Sequence, residues 1–315
     1  MHKKILIQKT DINKRLDITI KNYLSKTSRS KVSNLIKEGH VKVDDEIIKN
    51  PSFILKKIVT LEILYIDLKE EAKDLSKYKL KIVFEDESII AVNKNADLLT
   101  HCTPENKSPS LVDLLLKNNI KLSSNNQNEK LGVVHRLDKD TTGIMLFAKT
   151  ARAQIKLVES FKNRLIKKKY QTIVWGIPKP PQAILKTRIK SFLNKKKVSL
   201  SQGKEAITEY NTIKTYKNYF SFLDCYIVTG RTHQIRAHML SINCPIIGDQ
   251  LYSRGRNLPK NLDETVSQKI LDFNRQALHA SEINFAHPIT NKIIKLKADM
   301  PKDMRVLSDE LFVKN

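Results

Sequence analysis

Two segments of the chain bring together side chains able to handle charge and protons. The first, HRLDKDTTGIMLFAK from His135 to Lys149, sets Asp138 between an arginine and a Thr-Thr-Gly turn. An apolar run, Ile144 to Ala148, follows directly and predicts a buried strand. A carboxylate at the edge of a sheet stands on a rigid element, as an accurately placed nucleophile or base requires. The same residues admit a plainer role, in which Asp138 only closes or caps a turn, and this segment alone leaves both open. Calcium is a third reading, because Asp138, Asp140, Thr142 and Gly143 imitate the start of an EF-hand loop. The twelfth position is Lys149 where a bidentate Glu is needed, which rejects it. The second segment, GRTHQIRAHM from Gly230 to Met239, carries Arg231, His233, Arg236 and His238. The i, i+5 spacing of the two histidines does not place them side by side on a helix or strand, so they read as hydrogen-bonding residues rather than a metal pair. Arg236 is suited to neutralise a buried carboxylate with a planar two-pronged contact, which a lone carboxylate in an otherwise acid-free cleft would need.

The elements that must hold these segments can be read from periodicity. Ile82 to Phe84 and Ile89 to Val92 are β-rich runs separated by Glu85 to Ser88, a hairpin pattern. Residues 101 to 110 read as a loop, and Leu111 to Leu116 as a short helix. From Ala151 to Ile166, Ile155, Leu157, Val158, Phe161 and Leu165 form an apolar helical face. Strand-like runs follow at Gln171 to Trp175, Ser221 to Val228 and Ile283 to Phe285, so this part of the chain is α+β, its sheet built from distant strands. Residues 12 to 64 read as a separate small unit. Leu16, Ile20, Tyr23 and Leu24 keep helical spacing, Ser28 precedes a second helix with Val32, Leu35 and Ile36 inward, and Gly39 stops it. Val41 and Val43, a turn at Asp44-Asp45 and a run from Ile58 to Ile66 complete it with strands. Arg15, Arg29, Lys31 and Lys37 lie on its polar face. The expected division is 1–66, a charged linker at 67–79, and a large domain at 80–315.

Composition narrows the class. At 315 residues and 40% apolar content, two domains of unequal size are the natural expectation. No run approaches a membrane span, and Met1 to Thr10 has no signal-peptide pattern, which points to a cytoplasmic protein. Cys102, Cys225 and Cys244 are far apart and fit neither a disulfide framework nor a zinc site. The formal net charge of +24 favours a polyanionic partner, although lysine-rich composition accounts for part of it. Phe161 to Lys204 holds 13 Lys or Arg and no acid in 44 residues, a stretch expected to track a polyanion.

Beyond these readings, HRLDKDTTG at 135–143, KKYQTIVWG at 168–176, GRTHQIRAHM at 230–239, GDQLY at 248–252 and FNRQALHA at 273–280 together resemble the RluA/RluD family of bacterial large-subunit ribosomal RNA pseudouridine synthases. The resemblance spans residues 80 to 310, and Lys139, Asp140 and Thr142 look closest to its RluD-like members. RLD at 15–17, SRS at 28–30 and IKEGHVKVD at 36–44 resemble the RNA-binding module of the ribosomal protein S-four type. The resemblance implies a mixed, mainly antiparallel sheet with a central cleft. It implies Asp138 as the essential aspartate, Tyr170 as the aromatic stacking beside the target base and involved in proton removal, and Arg236 as the ion-pair partner of the aspartate. Leu278 is implied near the pocket, Arg136, Arg231 and His233 as cleft-supporting or RNA-touching groups, and Arg15, Arg29 and Lys31 as phosphate contacts. The small module is also open to a purely structural role, docking on its own large domain. Two departures bear on the target site: Asn95 where the family often has Pro, and His101-Cys102-Thr103-Pro104 where it usually has a His-Pro-Gly type stretch.

The implied reaction breaks the glycosidic bond of uridine, rotates the uracil and rejoins it through carbon 5, without change of composition or oxidation state. It calls for no metal, nucleotide or redox cofactor. The chain accordingly has no P-loop, dinucleotide fingerprint or zinc-deaminase pattern. Attack by Asp138 at carbon 6, attack at the anomeric carbon, and a glycal route all remain compatible with these residues. The expected partner is ribosomal RNA or a large-subunit precursor, met by a monomer without membrane attachment. A non-enzymatic RNA-binding factor and an RNA deaminase are the rival classes, opposed by the intact Asp138, Tyr170 and Arg236 and by the absence of metal-ligand spacing.

Overall fold

The computed structural model describes residues 2–24, 27, 29–64, 74–102, 108–124, 131–193 and 195–313. They form two compact units, one built on Met1–Asp74 and the other on Leu75–His101 with Ser108–Asn315.

In the first unit, β1 (His2–Leu6), α1 (Leu16–Tyr23), α2 (Arg29–Lys37), β2 (Val41–Val43), β3 (Glu46–Ile47) and β4 (Thr60–Leu64) follow one another. The strands make an antiparallel sheet in the order β1-β4-β2-β3. Leu16 and Ile20 on α1 and Val32 and Ile36 on α2 are one turn apart and fully buried, packing with Val41, Leu61 and Ile63. Each such side chain contributes roughly 1.5–3 kcal/mol. Asp44 and Asp45 both take positive φ, at 46° and 70°, the geometry that joins two antiparallel strands by a tight turn. Ser28, expected ahead of α2, lies outside the described residues. Strand β1, whose lysines hide the alternation, extends the small unit read at 12–64 toward the start of the expected 1–66 division.

The second unit contains β5 (Ile82–Glu85), β6 (Ile89–Lys94), α3 (Leu111–Lys117), β7 (Thr142–Ala148), α4 (Ala151–Lys162), β8 (Lys167–Trp175), β9 (Gln182–Phe192), β10 (Lys195–Ser199), β11 (Lys204–Tyr216), β12 (Phe220–Ile227), α5 (Gln234–Ser241), α6 (Glu264–Leu271), β13 (Leu278–Ala286), β14 (Ile293–Lys297) and α7 (Lys302–Phe312). Its ten strands form one sheet in the order β10-β9-β11-β12-β8-β13-β7-β6-β5, with β14 pairing β13 off this path. The sheet is mixed and mainly antiparallel; β13 with β7 is a parallel pair. Strand β7 is buried along its whole length because both faces are covered. Met145 and Phe147 join the large core with Ile90 and Val92, while Ile144, Leu146 and Ala148 face α4 with Ile89 and Ala91. Gly143, at φ 114°, lies so close to the backbone of Ala280 that any Cβ would collide with it, which lets β7 reach β13.

Several expectations change. Helix α4 turns Ala153 and Leu157 inward with Phe161 partly buried, leaving Ile155, Val158 and Leu165 exposed at 62%, 46% and 68%. The helix stops at Lys162, and Arg164 takes a φ of 60°, so Leu165 lies beyond it. The lysine-rich stretch after Phe161 contains β8, which includes the expected run Gln171 to Trp175, and also β9, β10 and the start of β11. Of the expected linker, 67–73 lies outside the described residues, whereas Leu75 and Tyr78 are buried in the core of the second unit. Among the described residues no helix is long and apolar enough to cross a membrane.

Candidate active site

Asp138 sits in a loop without regular structure ahead of β7, and its position depends on what fastens the loop. Thr141 N–H donates to the Asp138 carbonyl at 3.1 Å and closes a turn. The flanking carbonyls are all held from elsewhere. Thr100 Oγ1 donates to Leu137 O at 3.0 Å, Lys94 Nζ to Lys139 O at 2.7 Å, and Arg275 Nη1 to Asp140 O at 3.3 Å. Gln276 Nε2 donates to Thr141 Oγ1 at 3.1 Å. Lys94 is only 1% exposed, and burial pulls its ammonium down to about 7. With its main chain so constrained, the Asp138 side chain is left to face a cleft of about 490 Å³.

Three further elements complete the cleft wall. Tyr170 comes from β8 and is 6% exposed; burial, and then the charge of Asp138, push its phenol well above the usual range, so its hydroxyl stays protonated. Leu278, at the start of β13, supplies an apolar wall. Arg236, from α5, donates from Nη1 to Asp138 Oδ2 at 3.0 Å. Its other two nitrogens fork onto Asp249, Nε to Oδ2 at 2.6 Å and Nη2 to Oδ1 at 2.9 Å. Burial opposes the guanidinium charge, but the bonds to Asp249 and then Asp138 outweigh it and raise its pKa.

Asp249 does not line the cleft but stands behind its wall, on the far side of Arg236. It is fully buried and also accepts N–H bonds from Leu251 and Tyr252 at 3.0 and 3.1 Å. Its segment GDQLY carries part of the resemblance but by itself implies no role, since the match of an aspartate to an arginine thirteen residues earlier has no local signal. Arg236 is thus oriented by one carboxylate so that it meets another.

His233 caps α5 in the left-handed region at φ 55°. Its Nε2 lies 3.8 Å from Asp138 Oδ2 and its Nδ1 3.0 Å from Tyr252 Oη. Burial lowers its pKa and so favours the neutral ring, while the charge of Asp138 opposes this. His238 is elsewhere, fully buried between Thr187 and Thr208 at 2.9 and 2.8 Å, and plays a packing role. Arg136 is exposed at the cleft mouth, and Arg231, whose Nε donates to Glu205 O at 2.9 Å, lines it too. His135 turns away from chemistry: Nε2 accepts from Leu146 N at 2.9 Å, the ring stacks on Phe161 at 4.7 Å, and burial depresses its pKa to about 3. Asp138, Tyr170, Arg236, Arg136, Arg231, His233 and Leu278 therefore share one cleft. Among the described residues no cluster of three His, Cys, Asp or Glu is arranged for a metal.

Arg15, Arg29 and Lys31 belong to the first unit. Arg15 donates from Nε and Nη2 to Asp17 at 3.0 and 3.1 Å, and Arg29 from Nε and Nη2 at 3.0 and 2.9 Å, so two guanidiniums share one buried carboxylate. Both keep exposed faces, and Lys31 is exposed on α2. Two guanidiniums against one carboxylate leave one positive charge in excess at Asp17.

The main cleft offers a carboxylate fixed by a cation, beside a neutral phenol and an apolar wall, able to attack or deprotonate a flat polar substrate. Residues 88–241 match the RNA pseudouridylate synthase family and residues 14–57 match the S4 domain. Ribosomal large subunit pseudouridine synthase D of Zymomonas mobilis is 35% identical over 96% of this chain and 95% of its own length. The protein of the same name from Haemophilus influenzae is 34% identical over 97% and 93%. Human RNA Pseudouridylate Synthase Domain Containing 4 shares the fold, with a TM-score of 0.57 and 22% identity over 73% of this chain and 92% of that one.

Proposed function

The chain belongs to the RNA pseudouridylate synthase family, and from that premise we propose that it converts specific uridines of large-subunit ribosomal RNA to pseudouridine, with Asp138 acting on the target nucleotide. That it is an RNA pseudouridine synthase follows from the family. The assignment to large-subunit RNA is supported by near full-length similarity to proteins named for that activity. The role of Asp138 is supported by one observation above the others: its carboxylate, held by Arg236 at 3.0 Å, lines the same cleft as Tyr170.

In the reaction the C1′–N1 bond breaks, a C1′–C5 bond forms, the proton on carbon 5 leaves and N1 gains one. The base must first leave its stack, and Tyr170 gives it a neutral aromatic face. Arg236 orients the Asp138 carboxylate, while Leu278 closes off water. Arg136, Arg231 and His233 contact RNA or support the cleft. The enzyme works as a monomer in the cytoplasm, where its substrate is assembled. Mapping pseudouridines in ribosomal RNA from a strain lacking the gene tests the reading. One or more sites in the large-subunit RNA should become uridine and return with the wild-type gene; an unchanged map would overturn it.

The first unit is the RNA-binding module, and residues from Leu75 onward carry the chemistry. Arg15 and Arg29, already aimed by Asp17, and Lys31 hold backbone phosphates. Removing residues 1–66 should flatten the dependence of log K on log salt by about 0.7–0.9 for each phosphate lost. The RNA concentration for half-maximal rate should rise far more than the saturating rate falls. A truncated protein that melts earlier but keeps its salt slope would show that the module serves only stability.

A further inference from the structure

Strand β8 carries Lys167, Lys168 and Lys169 in succession, and their environments differ. Lys167 is exposed to solvent. Lys169 is ion-paired, 2.9 Å from Asp224 and 3.6 Å from Glu282. Lys168 shares a strand face with Tyr170 and lines the same cleft as Asp138. Its ammonium lies 5.6 Å from the centre of the Phe161 ring, and among the described residues no carboxylate pairs with it. Burial lowers its pKa to about 8, with no acidic neighbour opposing the shift. The nearby His135 ring is neutral, and Lys162, Arg164 and Arg231 add positive charge to the same wall. Among the described residues Asp138 is the only carboxylate lining the cleft, and Arg236 holds it.

A desolvated cation without a counter-ion works against folding and is completed by an anion from outside. RNA offers one group ionised at neutral pH, the phosphodiester. The ammonium lies on the cleft wall next to Gly230, where a Cβ would stand 3.8 Å from Nζ, an ordinary contact distance. Resting on the RNA reading above, we infer that Lys168 is a phosphate subsite, taking a backbone phosphodiester next to the flipped target uridine as it enters beside Gly230. Contact with a neutral uracil oxygen is the alternative that the experiment separates.

The full chain, as wild type, Lys168→Met and Lys168→Arg, is assayed in single turnover on a stem-loop RNA that the wild type modifies. The same RNA is then made with one uncharged methylphosphonate at each linkage flanking the target. Lys168→Met should raise the half-saturating RNA concentration about tenfold or more. It should also flatten the salt slope by about 0.7, without lowering the melting temperature. Lys168→Arg should restore most of the loss. One neutral linkage should cost the wild type a similar factor and cost Lys168→Met nothing further. Equal penalties from every neutral linkage in both proteins would overturn the phosphate contact in favour of the base. So would wild-type behaviour of Lys168→Met, or a lowered melting temperature that arginine does not rescue. A wild type that modifies no ribosomal RNA would instead overturn the proposed function.

Discussion

Asp138→Asn should reduce pseudouridine formation by about 10⁴-fold or more while RNA binding stays within about twofold. The amide keeps the size of the carboxylate and an oxygen for the Arg236 Nη1 bond, which spans 3.0 Å. The turn itself closes through the backbone carbonyl of residue 138, so the loop retains its shape. What disappears is the anionic charge needed to attack the nucleotide or remove a proton. Tritium release from RNA labelled at carbon 5 of uridine, followed in single turnover, reads the loss directly. Release within tenfold of wild type by a protein melting at the same temperature would remove Asp138 from the chemistry.

Asp249→Ala should cost about 3–5 kcal/mol of stability, the largest effect expected of a single change outside the reacting groups. Asp249 is fully buried and takes two of the three bonds made by Arg236, together with two backbone N–H groups. Truncation leaves a buried guanidinium with Asp138 alone and strands the amides of Leu251 and Tyr252. Activity should fall as well, since Arg236 is then free to swing and no longer presents one nitrogen to Asp138. Asn at this position, which keeps an acceptor for the amides, should be milder. Trp175, the single tryptophan, lies on β8 and reports denaturation of this unit alone. A loss below about 1 kcal/mol would mean that the fork contributes little.

How far the sequence reveals this arrangement depends on where each element lies in the sheet. Strand β7 is covered on both faces and shows as an unbroken apolar run, so it is legible. Strands β9 and β10 lie at one end of the sheet, and only Ile189 among their apolar side chains is buried, leaving lysines to dominate the pattern. Helix α4 misleads differently: it has two sets of apolar residues, and only packing against β7 selects Ala153 and Leu157 over Ile155 and Val158. In the cleft, Asp138, Tyr170 and Arg236 lie in segments whose combined spacing is distinctive. Asp249, Lys94 and Lys168 were missed because what distinguishes them is burial of a charge, and hydropathy reads buried charge as surface.

The strand order has a consequence for the nascent protein. Strand β13 separates β7 from β8, so the half of the sheet beside Asp138 and the half bearing Tyr170 are joined by strand pairing only through residues 278–286, made some hundred residues after β8. A polypeptide still on the ribosome and not yet extended past residue 278 holds two unjoined sheet fragments, each with an open edge waiting for the same strand. At elongation rates of about 5–20 residues per second, those edges stay unpaired for on the order of ten seconds. Translation thereby delays the first catalytic event until β13 has been made, and the interval is when the chain is most exposed to mispairing with its neighbours.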